Sequence, residues 1–198
     1  MSRIQTVALK EGQAGNIVVA DLVLLTTKHV EDYDQFWQPL LREFGEDDKA
    51  LSWRFKQQLA ERQPNWECYA IESENLTQGL ILLETQFHGS HFDWGQKLVY
   101  VETIMTAPWN RLQIQRPPEF KGVGRQMMQF AQQRSLALGY RGRVGLLSLP
   151  DAVGFYERIG MTRLELDPED IVDAEENLPY FEYRALRQSE DRDYDPEP

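Results

Sequence analysis

A single mixed α/β domain is what this 198-residue chain predicts, on three observations. Segments rich in Val, Ile, Leu and Tyr alternate with segments whose apolar residues recur at helical spacing, the order of a layered α/β structure. Hydrophobic residues make up 41% of the chain and aromatic residues 11%, which suits one buried core and excludes a disordered chain. No internal repeat or low-complexity linker divides the sequence.

The first strand is residues 17–25, rich in Val and Leu; the run IVVADLVLLTT is broken by Asp21 and falls short of the roughly 20 apolar residues a membrane helix needs. Residues 31–44 and 49–62 (KALSWRFKQQLAER) form two helices separated by GEDD. Gly45 ends the first, and acidic residues favour the start of the second. Phe36, Trp37, Trp53 and Phe55 on these helices are core candidates. WECYAIES, the turn ENLTQG and LILLETQF make a hairpin. After the polar loop HGSHFDWGQ, residues 97–106 (KLVYVETIMT) are the strongest strand signal in the chain.

A long loop, APWNRLQIQRPPEF, then leads to KGVGRQMMQFAQQRSLALG. From Val123 the apolar positions Met127, Phe130, Ala131 and Leu138 recur at helical spacing, and Gly139 supplies the stop. RVGLLSL is a short buried strand. In SLPDAVGFYERIGM, Ser148 caps a helix, with Pro150 in its first turn and Asp151 completing a capping box. Ala152, Phe155, Tyr156 and Ile159 form its apolar stripe, and Gly160 ends it. Residues 161–166 and 180–186 (YFEYRAL) are closing strands. The predicted order is β-αα-βββ-α-β-α-β-β over a domain of residues 1–186, with 187–198 an acidic, solvated tail.

Charge is unevenly spread. The net charge is -11, and residues 165–198 hold 13 Asp/Glu against 3 Arg, whereas residues 111–143 hold six Arg and one Lys against Glu119 alone. An acidic protein with one basic zone is a poor nucleic-acid binder and a fit for a small polyanion. The single cysteine, Cys68, excludes an intramolecular disulfide and fits a reducing compartment. The N-terminal residues MSRIQTVALKEGQAGN lack an apolar signal region, so the expected location is the cytoplasm, away from membranes.

The basic zone surrounds Gly122 and Gly124 at the start of a helix. A helix N-terminus presents unpaired N–H groups and about half a positive charge. Glycines remove the Cβ atoms that hold an anion away from those amides. The backbone from Lys121 through Gly122, Val123, Gly124 and Arg125 to Gln126 is therefore the candidate anion cradle, with Lys121 and Arg125 adding charge.

KGVGRQMMQFA after a strong strand, followed by AVGFYERIGM on the next helix, resembles the GNAT superfamily of acetyl-CoA-dependent N-acetyltransferases. The matching positions are the glycine turn, then Ala152, the Phe155–Tyr156 pair and Gly160–Met161; they span 98–166, and the looser element order spans 17–186. The resemblance implies one mostly antiparallel twisted sheet flanked by helices. It implies the pyrophosphate of acetyl-CoA on the glycine turn, and backbone groups at Ile104, Met105 and Thr106 along the pantetheine arm. It further implies a primary amine acceptor, small molecule or peptide, attacking the thioester directly in a ternary complex, and a homodimer. Three features depart from the family pattern. Glu119 stands where Arg or Gln is usual, Leu149 stands where Asn is frequent, and the loop 107–120 is long.

Acyl transfer to an amine needs a proton removed from an ammonium of pKa about 10.4 and one returned to a thiolate whose acid has pKa about 8.5. Tyr156, matching the family's tyrosine, is the candidate acid. Glu102 is the candidate base: regular alternation puts it on the face of Leu98, Tyr100 and Ile104, where an apolar strand would desolvate it and raise its pKa. Glu84 or a water chain is the alternative. Cys68 is expected to pack in the core, which disfavours an acyl-cysteine route. His88 and His91 have a metal-compatible spacing but no third ligand, so no metal is expected. Two other functions remain open: a CoA-binding regulator that has lost catalysis, and an interaction module acting through the acidic tail. The acidic run LELDPEDIVDAEENLPY is a candidate for steering cationic amines.

Overall fold

The computed structural model describes residues 3–46, 51–165 and 178–186. The acidic tail, and most of the acidic run proposed for steering, lie outside the described residues. Two elements precede and follow the first turn of the chain: β1 (Arg3–Glu11) and β2 (Ile17–Leu24). The first of these is absent from the sequence-based order. It forms because Val7 and Leu9 alternate with polar neighbours and turn toward the core, pairing antiparallel with Ala20 and Val18.

Three short helices follow: α1 (Thr27–Asp32), α2 (Gln38–Glu43) and α3 (Trp53–Arg62). One π-helical turn, Tyr33–Trp37, joins the first two, so the expected helix 31–44 begins four residues earlier. Its start is set by His29, whose Nδ1 accepts the backbone N–H of Thr26 at 2.9 Å. Ser52 caps α3, its Oγ accepting from the Phe55 amide at 3.3 Å. Trp37, Trp53 and Tyr33 are fully buried, whereas Phe36 and Phe55 are exposed, contrary to a core role.

The hairpin is β3 (Trp66–Ser73) and β4 (Leu76–Glu84). Its turn is only Glu74–Asn75, both at positive φ, a two-residue connection whose twist suits paired strands. Gly79, expected in the turn, lies inside the strand instead. A Cβ there would meet Val123 Cγ1 at 2.7 Å and the Met127 thioether at 2.9 Å, so its absence lets a later helix sit directly on the sheet.

The remaining elements are β5 (Val99–Thr106), β6 (Phe120–Lys121), α4 (Val123–Ala137), β7 (Val144–Leu147), α5 (Val153–Arg158), β8 (Thr162–Leu164) and β9 (Tyr180–Tyr183). Among the described residues the sheet runs β6-β1-β2-β3-β4-β5-β7-β9-β8, antiparallel throughout except at β5–β7. The sequence-based fold class is therefore observed, with two strands added. The helix after β7 opens differently from expectation. Ser148 is buried and its Oγ donates to the Leu149 carbonyl at 2.8 Å, so it caps nothing; a 3-10 turn, Pro150–Ala152, leads into α5.

The sheet has two apolar faces. One carries Val7, Leu9, Leu22, Ile71, Ile81 and Leu83 under α4 and α5. The other carries Val23, Ala70, Leu80, Leu82 and Met105 under α1–α3. The long loop 107–120 is ordered by buried Gln78, whose Oε1 accepts from Trp109 Nε1 and from Asn110 Nδ2, both at 2.9 Å. Asn110 Oδ1 in turn accepts the Phe120 amide at 2.8 Å. The loop ends by adding β6 to β1, with Lys121 opposite Lys10 and the Gly12 amide donating to Glu119 O at 2.8 Å. The glycine turn thus hangs from a fixed edge of the sheet.

His29 supplies a pH dependence. It is fully buried and neutral, its pKa held below the usual 6.5 mainly by burial, with Lys28 assisting and Glu72 opposing. A group whose native pKa is depressed by burial of its neutral form stabilises the fold above about pH 6.5 and loses that contribution as pH falls toward the native value. Urea unfolding at pH 7.5 and 5.5 should show a loss in the wild type of up to about 1.4 kcal/mol per pH unit, and a smaller loss in His29→Asn, which keeps an acceptor for the Thr26 amide. Equal slopes would remove His29 as the cause.

Candidate active site

Strands β5 and β7 run parallel but pair only at Val99–Val144 and Tyr100–Gly145. Beyond Tyr100 they diverge, because β5 carries a bulge: Leu83 faces Val101 and Leu82 faces Thr103, leaving Glu102 without an opposite residue. The extra residue bends and twists the strand away from its neighbour. The resulting cleft of about 650 Å³ passes through the sheet, from the α4–α5 side to the loop that follows α2. Ile104, Met105 and Thr106 line it on the strand, Val123 and Gly124 on the glycine turn, and Phe155 and Tyr156 on α5. Clefts at the carboxyl ends of diverging parallel strands are the usual ligand sites of α/β sheets.

At the glycine turn, Gly122 is the residue before α4 and has φ +94°, a left-handed conformation that a side chain would strain. Gly124 faces α5, and a Cβ there would stand 3.1 Å from Phe155 Cζ. The amides of Val123, Gly124 and Arg125 open the helix and have no partner within it. Gln126 does not belong with them: its amide already donates to Gly122 O at 2.9 Å, closing the first helical turn. Lys121 and Arg125 are exposed, as expected of a basic rim. Lys10, the cross-strand neighbour of Lys121, adds a cation that only the pairing of β6 with β1 reveals. Arg158 from α5 lines the cleft as well.

Tyr156 is buried between Phe155 and Phe181, ring centroids 5.1 and 5.6 Å away. Burial pushes its phenol well above the usual 10, so it is protonated at neutral pH. The tyrosine lines the cleft, and its hydroxyl makes no hydrogen bond with any described residue.

Glu102 departs from expectation. The bulge breaks the alternation of β5, so Tyr100 and Ile104 lie on opposite faces and Glu102 is exposed, outside the residues lining the cleft. Its nearest electrostatic partner is Lys56, whose pKa is lowered chiefly by burial and partly restored by the Glu102 charge. Glu84 lies at the far end of β5, opposite Tyr100. Its burial favours protonation, but bonds from His88, the amides of Phe87 and Gln86, and Asn65 outweigh that and hold the carboxyl below its usual value. It is a buried anchor with its acceptors in use.

His88 is therefore bound to Glu84 and stacked on Tyr100 at 3.9 Å, while His91 packs edgewise on Tyr180. Among the described residues no group of three or more His, Cys, Asp or Glu side chains is placed to hold a metal ion, and no helix is long and apolar enough to cross a membrane. The cleft also has a charged pair that sequence reading missed. Glu46, just beyond α2, accepts from Arg111 Nη1 at 2.8 Å, and Arg111 Nε donates to Thr106 O at 3.1 Å. Arg111 was legible only as part of the basic count of the loop.

No family model matches the sequence, and a search of curated proteins finds no match. Solved structures do match. The GNAT domain of S. lividans PAT superimposes with a TM-score of 0.58 over 90% of this chain and 95% of its own, at 13% identity. This chain has the GNAT fold. The Bacillus subtilis N-acetyltransferase YlbP, in complex with coenzyme A, gives a TM-score of 0.55 over 83% of this chain and 95% of its own, also at 13% identity. AAC(6')-Iy, in complex with the bisubstrate analogue CoA-S-monomethyl-acetylneamine, gives 0.54 over 75% and 94% at 13% identity. Within the GNAT fold of this chain, the diverging strands and the glycine turn occupy one connected cleft.

Cys68 stands apart from that cleft. It is buried, its thiol pushed up to about 12 by burial, and it points at the Lys56 carbonyl 3.5 Å away. At pH 8 the native protein should react with a thiol reagent at least a hundredfold more slowly than the urea-unfolded chain. Fast labelling of the native state would restore Cys68 as a nucleophile.

Proposed function

We propose that this protein is an N-acetyltransferase, moving an acetyl group from acetyl-CoA to a primary amine by direct attack in a ternary complex. One observation carries the reading: the glycine turn with its open amides and the Tyr156 hydroxyl line the same cleft between β5 and β7. The residues fit the cosubstrate. A side chain at Gly122 or Gly124 would intrude where a pyrophosphate approaches the amides of Val123, Gly124 and Arg125, with Lys121, Arg125 and Lys10 around it. The unpaired edge of β5 from Ile104 to Met105 offers backbone groups to a pantetheine amide; the Thr106 carbonyl is already held by Arg111.

Acetyl-CoA supplies an activated thioester. The neutral amine forms a C–N bond at the carbonyl carbon, and the C–S bond breaks with its electron pair on sulfur. Tyr156 donates its phenolic proton to that thiolate. Its raised pKa keeps the proton available at neutral pH; the resulting phenolate is reprotonated by water or by the proton the amine releases. Glu102, exposed at the bulge where the strands part, takes the amine's proton through water, a relay in place of the desolvated base the sequence suggested. Holding amine and thioester together in the cleft accounts for much of the rate.

A thermal melt tests the cosubstrate and a thiol-release assay tests the chemistry. Acetyl-CoA at about 100 times its Kd should add about 2.7 kcal/mol of stability, and Gly124→Glu should abolish the gain. Tyr156→Phe should lower kcat by about a hundredfold, Glu102→Gln by less than tenfold. A stabilising melt with no amine turnover in the wild type would leave a CoA-binding regulator, the reading that Leu149 and Glu119 favour. No stabilisation at millimolar acetyl-CoA would sink the acyltransferase reading.

A further inference from the structure

This inference rests on the reading of the cleft as an acyl-transfer site and concerns its acceptor. The wall nearest α2 carries the Glu46–Arg111 ion pair, whose side chains are only 22% and 14% exposed. The two charges are held in place independently of each other. The Arg111 guanidinium is oriented by its Nε–H bond to Thr106 O, at the end of the strand that borders the cleft. Glu46 follows Gly45, which has φ +70°, and its amide donates to Leu41 O at 2.9 Å, fixing the backbone beneath the carboxylate.

Breaking such a pair by engaging one member alone leaves the other poorly solvated charge without its counter-ion. A simple alkylamine entering here must draw Glu46 from Arg111 and offers the guanidinium nothing in exchange. A zwitterion offers both partners at once: its ammonium replaces the guanidinium on Glu46, and its carboxylate accepts the planar donors of Arg111. Phe44 and Leu112, exposed by 48% and 56% and lining the same wall, present apolar surface to a neighbouring side chain.

We propose that the acceptor is an amino carboxylate with an apolar side chain, recognised by exchange of the Glu46–Arg111 pair. Arg111 is then a specificity-determining residue for the acceptor, separate from the groups that hold acetyl-CoA.

The experiment compares apolar amino acids with their carboxamides and with the corresponding decarboxylated amines. Turnover is read by thiol release, and binding to the CoA-loaded protein by calorimetry. The free amino acids should exceed both analogues by at least tenfold in kcat/KM. In Arg111→Gln and in Arg111→Lys, which keeps the charge but not the fork, that preference should fall to within threefold while the Kd for CoA stays within threefold of wild type. Glu46→Gln should raise KM for the amino acids with a smaller change in kcat. Equal rates for acids and amides overturn the proposal while leaving acyl transfer intact, as does a preference that survives in both Arg111 variants. If the protein binds CoA but turns over no amine, calorimetry decides: an amino acid that binds the CoA-loaded wild type but not Arg111→Gln supports the recognition site, and no binding overturns it.

Discussion

The failure of β5 and β7 to stay paired beyond Tyr100 is the constraint on which the functional half of this molecule depends. Two parallel strands in the middle of a sheet would ordinarily exchange hydrogen bonds along their whole length, and leaving buried N–H and C=O groups unmet costs about 1–3 kcal/mol each. The bulge at Glu102 imposes the divergence by inserting one residue against β4. What results is a water-accessible edge inside a domain, ready for a ligand that is itself rich in amide groups. Arg111 satisfies one carbonyl of that edge, and the rest is open to the cleft.

Everything around the cleft serves to hold its two sides at fixed separation. On one face, the absence of a side chain at Gly79 lets α4 sit on β4 through Val123 and Met127, which places the start of α4 over the splay. The same start is held from behind by β6 on β1 and by the Gln78–Asn110–Phe120 hydrogen-bond chain. On the other face, Trp37 and Trp53 bury α1–α3 against Met105, the Trp53 indole donating to the Met105 sulfur at 3.1 Å. The cleft is therefore a gap between two well-packed cores.

Electrostatics follow the same division. Most of the molecule is acidic, yet Lys10, Lys121 and Arg125 gather at the glycine turn, from two strands and a helix. The field of the whole chain is unfavourable to polyanions in general, so a local cradle, with amides and cations within one turn of backbone, is what gives an anion a reason to bind there. Across the cleft, Glu46 and Arg111 cancel each other's charge, so the acceptor side presents a dipole where the cofactor side presents a cation.

The elements that the sequence by itself determined are those governed by local rules. The glycine turn, the helix it opens and the tyrosine helix were legible because capping, periodicity and glycine conformation act within a few residues. Gly122, Gly124 and Tyr156 stand where that reading put them. Glu102 was misread because alternation assumes an unbroken strand, and a bulge reverses every face after it. β1 and β6 were missed because each is a strand only by virtue of a partner, and the pair Glu46–Arg111 lies 65 residues apart in the chain. Tertiary structure alone decided where β5 parts from β7, which charges meet in the cleft and which amide of the glycine turn is already spent, because each is a matter of contact between segments that the order of residues leaves free.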